Sequence, residues 1–522
     1  EEIQAIEDKY AAAALRAQKA GFDGVEVHAT GYYLVAQFFS ATANHRTDEY
    51  GGNAFNRARF AVNIAQKIKA TVGENFPVFY KLSVLEIGDY GGVKLRDGLL
   101  NCYMLQQAGV AAIEVLAGAW STRPKKRDKP DSGQASGLTF PIVRLMKCAK
   151  ITRHSKRPGL IFGKKALTIP LIAGGRTFDP KLAEKALTKG WGDFIFMGRG
   201  LLTQPDLPRM IAAGIYDAAR PCIGCDKCMD GQLQRDERIA CSGNAVIGVG
   251  ANDYTIPPAS IKKRVYVIGG GPAGVEAARI AAIRGHEVIL FEKDARLGGQ
   301  LQVAVAPPHK QNLRLLLKYL EEQVVLTGVK VRLNTEMTAA LILDERPDVV
   351  ICATGVRPAG LRVPGFEKPL VMNAKQALDG AKTGRRVIII GGGVIGCEAA
   401  ELLAEKGKQV AVVDVLDKLA VKMAATSRTI LLAHLDSLGV KIYGSSKCKE
   451  IKDHSVVIEH KSGGIEELKA DTVLIAVGDR PNRDLYSELE GKIMELYAVG
   501  DCHEPASIVE AVSTGYYTAL QL

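Results

Sequence analysis

The sequence predicts an α/β protein: a (β/α)8 TIM barrel, of which it carries the C-terminal five strands, followed by two Rossmann-like units. Three observations predict this. Amphipathic helical stretches alternate with short apolar runs over residues 1–215, a glycine turn of one spacing recurs at 269 and 391, and a cysteine cluster at 222–241 separates the two parts.

In the first part the stretches AAAALRAQKAGF, FAVNIAQKIKATVG, GLLNCYMLQQAG and DPKLAEKALTKG read as helices, and DGVEVHA, FPVFYKLS, AAIEVLAG, LTIPLIAGG and DFIFMGR as strands. Short apolar strands between amphipathic helices imply a parallel sheet covered by helices. Each strand ends in polar residues or glycine, namely His28, Lys81, Gly118, Gly174-Gly175 and Gly198-Arg199, as at the functional end of a barrel. A closed barrel needs eight strands, so three upstream strands are expected to precede this sequence.

Beyond the barrel the expected boundaries are a cysteine segment and connector at 216–262, a first dinucleotide unit at 263–382 resumed at 493–522, and a second unit inserted at 383–492. The units are repeats: KRVYVIGGGPAGVEAARIAAIRGHEVILFEK from 263 and RRVIIIGGGVIGCEAAELLAEKGKQVAVVDV from 385 both read strand, glycine turn, helix, strand. Gly269, Gly271 and Gly274 form G-x-G-x-x-G, as do Gly391, Gly393 and Gly396. Such glycines permit a tight turn, a close approach of backbone N–H groups to a pyrophosphate, and close packing of helix on strand. Glu292 and Asp414 each follow the first glycine of their motif by 23 residues, where a carboxylate accepts hydrogen bonds from ribose hydroxyls.

Two such units fit one flavin and one nicotinamide. The first resembles the FAD unit of disulfide-reductase-like flavoproteins in LGGQL (with Gly299 and Gln300), in ATG (with Thr354 and Gly355), and in YAVGDC, whose Asp501 is implied to reach the FAD. In the second, Asp414 repels a 2′-phosphate and no base follows at once, so NADH is expected rather than NADPH.

Cys222, Cys225, Cys228 and Cys241 place three thiols on a tight loop and bring back a fourth. The spacing suits zinc or a [4Fe–4S] cluster. Zinc cannot change oxidation state, and between flavin domains a redox-active cluster has a purpose, so iron–sulfur is the reading. Cys102, Cys148, Cys352, Cys397, Cys448 and Cys502 are expected to be ordinary core or surface residues.

The net charge of +11 is dispersed apart from the loop Arg123–Lys129 (RPKKRDK), which reads as solvated or as a contact for CoA phosphates rather than a nucleic-acid site. No apolar run approaches the roughly 18 residues of a membrane span, and the chain is expected to be soluble and cytoplasmic. Expected partners are small molecules and, among macromolecules, at most further copies of the chain.

AGFDGVEVHATGYYLVAQFFS, NHRTDEYGG, GRGLLTQPDLP and PCIGCDKC resemble signatures of the old yellow enzyme superfamily, specifically its long multi-cofactor members of the 2,4-dienoyl-CoA reductase and trimethylamine dehydrogenase type. The resemblance covers nearly the whole chain. It implies that His28 hydrogen-bonds a substrate carbonyl oxygen, that Tyr33 donates a proton, and that Lys81 replaces the usual arginine beside the flavin ring. It also implies an FMN phosphate held by Gly174, Gly175, Gly198 and Arg199 with Arg176. Gly31, Tyr32 and Trp120-Ser121 depart from the family pattern, implying fewer polar anchors and a bulky or ring-containing substrate. The implied activity is an NADH-dependent ene-reductase passing electrons through FAD, [4Fe–4S] and FMN to an α,β-unsaturated carbonyl compound such as an enoyl-, dienoyl- or aromatic-acyl-CoA. Alternatives are an amine dehydrogenase and an electron-delivery subunit for a partner protein.

Overall fold

All five apolar runs of the first part form strands of one parallel sheet. In chain order the strands are β1 (Val25–Ala29), β2 (Val78–Leu85), β3 (Ala112–Ala117), β4 (Ala149–Thr152), β5 (Gly159–Phe162), β6 (Leu171–Ala173) and β7 (Phe194–Ile195). The sheet order is β1-β2-β3-β6-β7, with β4 and β5 set aside as an antiparallel pair that the sequence reading did not anticipate. The computed structural model describes residues 1–31, 33–86, 92–117, 149–152, 159–162, 167–174, 179–230, 238–248 and 255–522. They divide into two compact units, Glu1–Gly200 and Leu201–Leu522.

Side-chain alternation along β2 sorts the first unit into layers. Val78, Tyr80, Leu82 and Val84 are fully buried on one face, and the Tyr80 hydroxyl donates to the Ala61 carbonyl of the helix Ala54–Val72 at 2.7 Å. The helices are α1 (Glu2–Lys19), α2 (Leu34–Phe39), α3 (Ala54–Val72) and α4 (Leu95–Gln107). The Asn53 side chain caps α3 by accepting from the Asn56 N–H, and Gly73 ends it. Phe60, Ile64 and Ile68 fill its sheet-facing side. The opposite face of β2 carries Lys81, which pairs in register with His28 on β1 and Glu114 on β3.

The second unit holds two five-stranded parallel sheets. The first runs Lys330–Arg332, Glu287–Phe291, Arg264–Ile268, Val349–Cys352, Glu495–Ala498, the last pairing in parallel with Val349–Cys352. The second runs Val371–Asn373, Thr472–Ile475, Arg386–Ile390, Gln409–Val413, Lys441–Tyr443. Its edge strand begins before residue 383, which moves the start of the insertion upstream of the expected boundary. An antiparallel pair, Val356–Pro358 with Asp479–Pro481, joins the outgoing and returning chain. The helix Ile508–Leu520 packs on Pro272–Ile283 so closely that a Cβ on Gly515 would stand 2.3 Å from the Ala273 carbonyl oxygen. Among the described residues no helix is long and apolar enough to cross a membrane.

Candidate functional site

The register of the first sheet puts His28, Lys81 and Glu114 in one row across three strands. Lys81 Nζ lies 2.6 Å from Glu114 Oε1 and 4.7 Å from the centre of the Phe196 ring. Tyr33, at the start of α2, brings its ring centre to 5.0 Å from that of His28, tilted by 58°, and is 59% exposed. Thr30 Oγ1 is 3.4 Å from His28 Nε2. Partial burial, then the positive Lys81, hold His28 below its usual 6.5, and Glu114 opposes them. Two residues along β1 from His28, desolvation and then the negative Glu114 push the Glu26 carboxyl upward, with Lys81 opposing.

The structure thus brings the expected His28, Tyr33 and Lys81 together and adds Glu114 and Glu26, which sequence reasoning missed. Their signal was present: GVEVHA and AIEVLA each carry an acid inside an apolar strand, an arrangement that needs a partner. The pairing also alters the expectation for Lys81. Its charge is matched by a nearly buried carboxylate, so the row carries less net positive charge than an unpaired cation would provide.

At the far strands a Cβ on Gly174 would overlap the Phe196 ring at 2.0 Å, whereas the space beside Gly198 is open. Arg199 begins the short helix Arg199–Thr203. Gly174, Gly198 and Arg199 remain a backbone-rich candidate for a phosphate. Gly118, Gly175, Arg176, Tyr32, Trp120, Ser121 and the basic loop Arg123–Lys129 lie outside the described residues.

Both glycine turns have the geometry their spacing requires. Gly269 and Gly391 adopt φ of +113° and +109°, and a Cβ on Gly274 or Gly396 would stand 1.9 or 2.0 Å from the carbonyl oxygen of the first glycine. Nothing lies within 4 Å of a Cβ built on Gly271 or Gly393, which leaves space at the helix N-termini. Glu292 accepts from the Gly270 N–H at 2.7 Å and the Asp294 N–H at 2.9 Å. Asp414 likewise accepts from the Gly392 N–H and, at 2.7 Å, from the Leu416 N–H. Each carboxylate oxygen keeps a second lone pair for a ribose hydroxyl. These turns fit dinucleotides.

Gly299 comes against the first glycine turn, its Cβ position 3.1 Å from the Gly271 Cα. Gln300 donates to Asp501 at 2.6 Å and accepts from Lys375 at 2.6 Å, and Lys375 also reaches Asp479 at 2.8 Å. Lys375 and Asp479 were not anticipated, being far apart in sequence. Burial raises the Asp501 carboxyl; the Ala506 N–H and then Gln300 oppose it. The Thr354 hydroxyl donates to the Asn482 carbonyl at 2.7 Å and ties down the turn at Gly355, whose carbonyl accepts from the Asn482 N–H.

None of the four cysteines of the segment is in a disulfide, and Cys222 is buried while Cys225, Cys228 and Cys241 are half-buried. Positive φ at Gly224 (66°) and Asp226 (56°) turns the loop sharply between the first three. The Gly243 N–H donates to Cys241 Sγ at 3.4 Å, and Ser242 Oγ lies 3.3 Å from Cys225 Sγ. Four thiols, one accepting a backbone N–H at Cys241 and one beside the Ser242 hydroxyl at Cys225, are a donor set that fits a thiolate-bound cluster. Of the other cysteines, Cys102, Cys352, Cys397, Cys448 and Cys502 are buried, and Cys148 lies outside the described residues.

Residues 1–218 match the NADH:flavin oxidoreductase / NADH oxidase family, and residues 263–515 match the pyridine nucleotide-disulphide oxidoreductases. An NADH oxidase from Thermoanaerobacter brockii is 35% identical over 100% of this chain and 78% of its own length. The chain belongs to the NADH:flavin oxidoreductase / NADH oxidase family. This oxidoreductase is also 33% identical to a cinnamate reductase from Clostridium sporogenes, across 99% of this chain and 77% of that one. A solved 2-naphthoyl-CoA reductase in complex with 2-naphthoyl-CoA superposes with a TM-score of 0.89 at 28% identity, covering 100% of this chain and 76% of that one. The oxidoreductase therefore combines a flavin-oxidoreductase domain with a second, dinucleotide-binding one, as the sequence implied.

Proposed function

We propose that this oxidoreductase uses NADH to reduce the C=C bond of an α,β-unsaturated carbonyl compound bearing an aromatic ring, as the acid or its CoA thioester. The observation that carries the reading is the His28–Tyr33 pair beside the Lys81–Glu114 row. Conjugate reduction needs a donor to the carbonyl oxygen, where negative charge grows, and an acid for the α-carbon. His28, held neutral at pH 7 by its lowered pKa, offers one ring N–H to that oxygen. Tyr33, an exposed residue, delivers the proton and recovers one from water.

When bound, FMN would supply the hydride to the β-carbon, replenished from NADH through FAD and a [4Fe–4S] cluster. Gly174, Gly198 and Arg199 would hold the FMN phosphate, with Gly175 and Arg176. Gly269, Gly271, Gly274, Glu292, Gly299, Gln300 and Asp501 would hold FAD, with Gly355 and Thr354 shaping the adjoining turn. Gly391, Gly393, Gly396 and Asp414 would hold NADH, and the four cysteines the cluster. The ring-bearing substrate is supported by the names of the relatives, cinnamate reductase and 2-naphthoyl-CoA reductase.

The test is anaerobic oxidation of NADH by the purified holoenzyme with an aromatic enoate, its CoA thioester, a short-chain enoyl-CoA or a tertiary amine. Stoichiometric NADH loss with the aromatic acceptors, and saturation of their double bond, are expected. Turnover of the amine alone with an external acceptor overturns the proposal.

A further inference from the structure

We propose that His309, Glu401 and His434 form a binding site for a divalent ion of the zinc type that braces the 305–312 loop against the second dinucleotide unit. The three offer ligand atoms that all lie within 4.8 Å of one another. Glu401 sits on the helix Val394–Glu405 and His434 on the helix Ala425–Ser437, both side chains more than nine-tenths buried. His434 Nδ1 and Glu401 Oε1 are 2.7 Å apart, and Glu405, one helical turn beyond Glu401, stands 3.7 Å from His434 Nε2. His309 closes the group from the loop between the helices Leu301–Ala304 and Leu313–Leu326, its ring centre 5.9 Å from that of His434.

Two imidazoles and a carboxylate are a borderline donor set, suited to zinc and its neighbours rather than to magnesium or calcium, which favour oxygen. Bonds of roughly 2.0–2.2 Å to nitrogen and oxygen are within reach once the exposed His309 ring turns inward. The energetics favour an ion as well. Glu401 is buried with the His434 ring against its carboxylate, and a cation there would offset the cost of holding that charge away from water. In the bound form the His434 nitrogen that faces Glu401 takes the metal, and the ring keeps its one N–H on the nitrogen that faces Glu405. His309 has a φ of +65°, a conformation uncommon for a residue other than glycine, and is followed by Lys310, which pairs with Glu398 on the same helix as Glu401. The loop is thereby tied to that helix at two adjacent points.

None of the three residues belongs to the redox sites above, so the inference stands apart from the proposed activity. The test is zinc binding to the cluster-loaded holoenzyme, measured by calorimetry and by elemental analysis after dialysis. One zinc per chain is expected in the wild type, with a rise in melting temperature on addition. His309→Ala leaves the helices intact and is expected to weaken binding by more than the roughly 10- to 100-fold that loss of an outer partner costs, and to remove the thermal shift. Glu401→Gln should do the same. Zinc bound equally by wild type and His309→Ala, as at the cysteines, overturns the assignment, as does no stoichiometric binding in the wild type.

Discussion

His28 stands between two opposed neighbours, and the pH dependence of turnover should show both. With its pKa below 6.5, the acid limb of kcat/KM for the unsaturated substrate is expected below that pH. Lys81→Met removes a charge that depresses His28 and should shift the limb up, whereas Glu114→Gln removes one that raises it and should shift the limb down. Steady-state profiles of the two variants check the signs, and a common direction for both would refute the assignment. Tyr33 permits a cleaner separation of steps. Tyr33→Phe keeps the ring against His28 but loses the acid, so substrate reduction should fall by about 10²–10⁴-fold while bleaching of the flavins by NADH proceeds at its normal rate. Stopped-flow measurement of the two half-reactions distinguishes this from general damage.

At the level of elements, the glycine turns make the most direct prediction. A methyl group at Gly396 meets a backbone carbonyl, which cannot turn aside as a side chain can, so Gly396→Ala should push the helix off its strand. A cost of about 1–3 kcal/mol and a large rise in KM for NADH are expected, with flavin content retained. Urea unfolding and flavin analysis would check this. These turns were legible in the sequence because local spacing encodes local geometry, and so were the five parallel strands, whose apolar alternation is set by the layers they occupy. The β4–β5 pair was not, since AKIT and GLIF lie in a polar, glycine- and proline-containing stretch without a regular pattern. Nothing in its local sequence marks Gly515, which is required by the packing of Pro272–Ile283 against it, and Lys375 meets Asp479 only through tertiary folding. Glu114 lies between these cases. Its presence in an apolar strand signalled a partner, but only the register with Lys81 names it.

Across the whole chain, the residues proposed for substrate chemistry fall in Glu1–Gly200 and those proposed for NADH, FAD and the cluster in Leu201–Leu522. This division predicts that the two halves of turnover can be uncoupled by a change at the thiols. Cys228 sits in a one-turn helix, Lys227–Asp230, at the end of the loop, and neither dinucleotide turn includes it or a residue next to it. Cys228→Ser should therefore lower iron from about four atoms per chain while leaving the carboxylate-to-turn hydrogen bonds of Glu292 and Asp414 in place. NADH oxidation by a soluble dye should persist, because it needs only the second unit. NADH oxidation by the unsaturated substrate should fall below detection, because it needs both. Iron analysis with the two anaerobic assays on one preparation decides the matter: loss of both activities would mean that the thiols hold the second unit together, and retention of both with iron gone would mean that the cluster lies off the path from NADH to substrate.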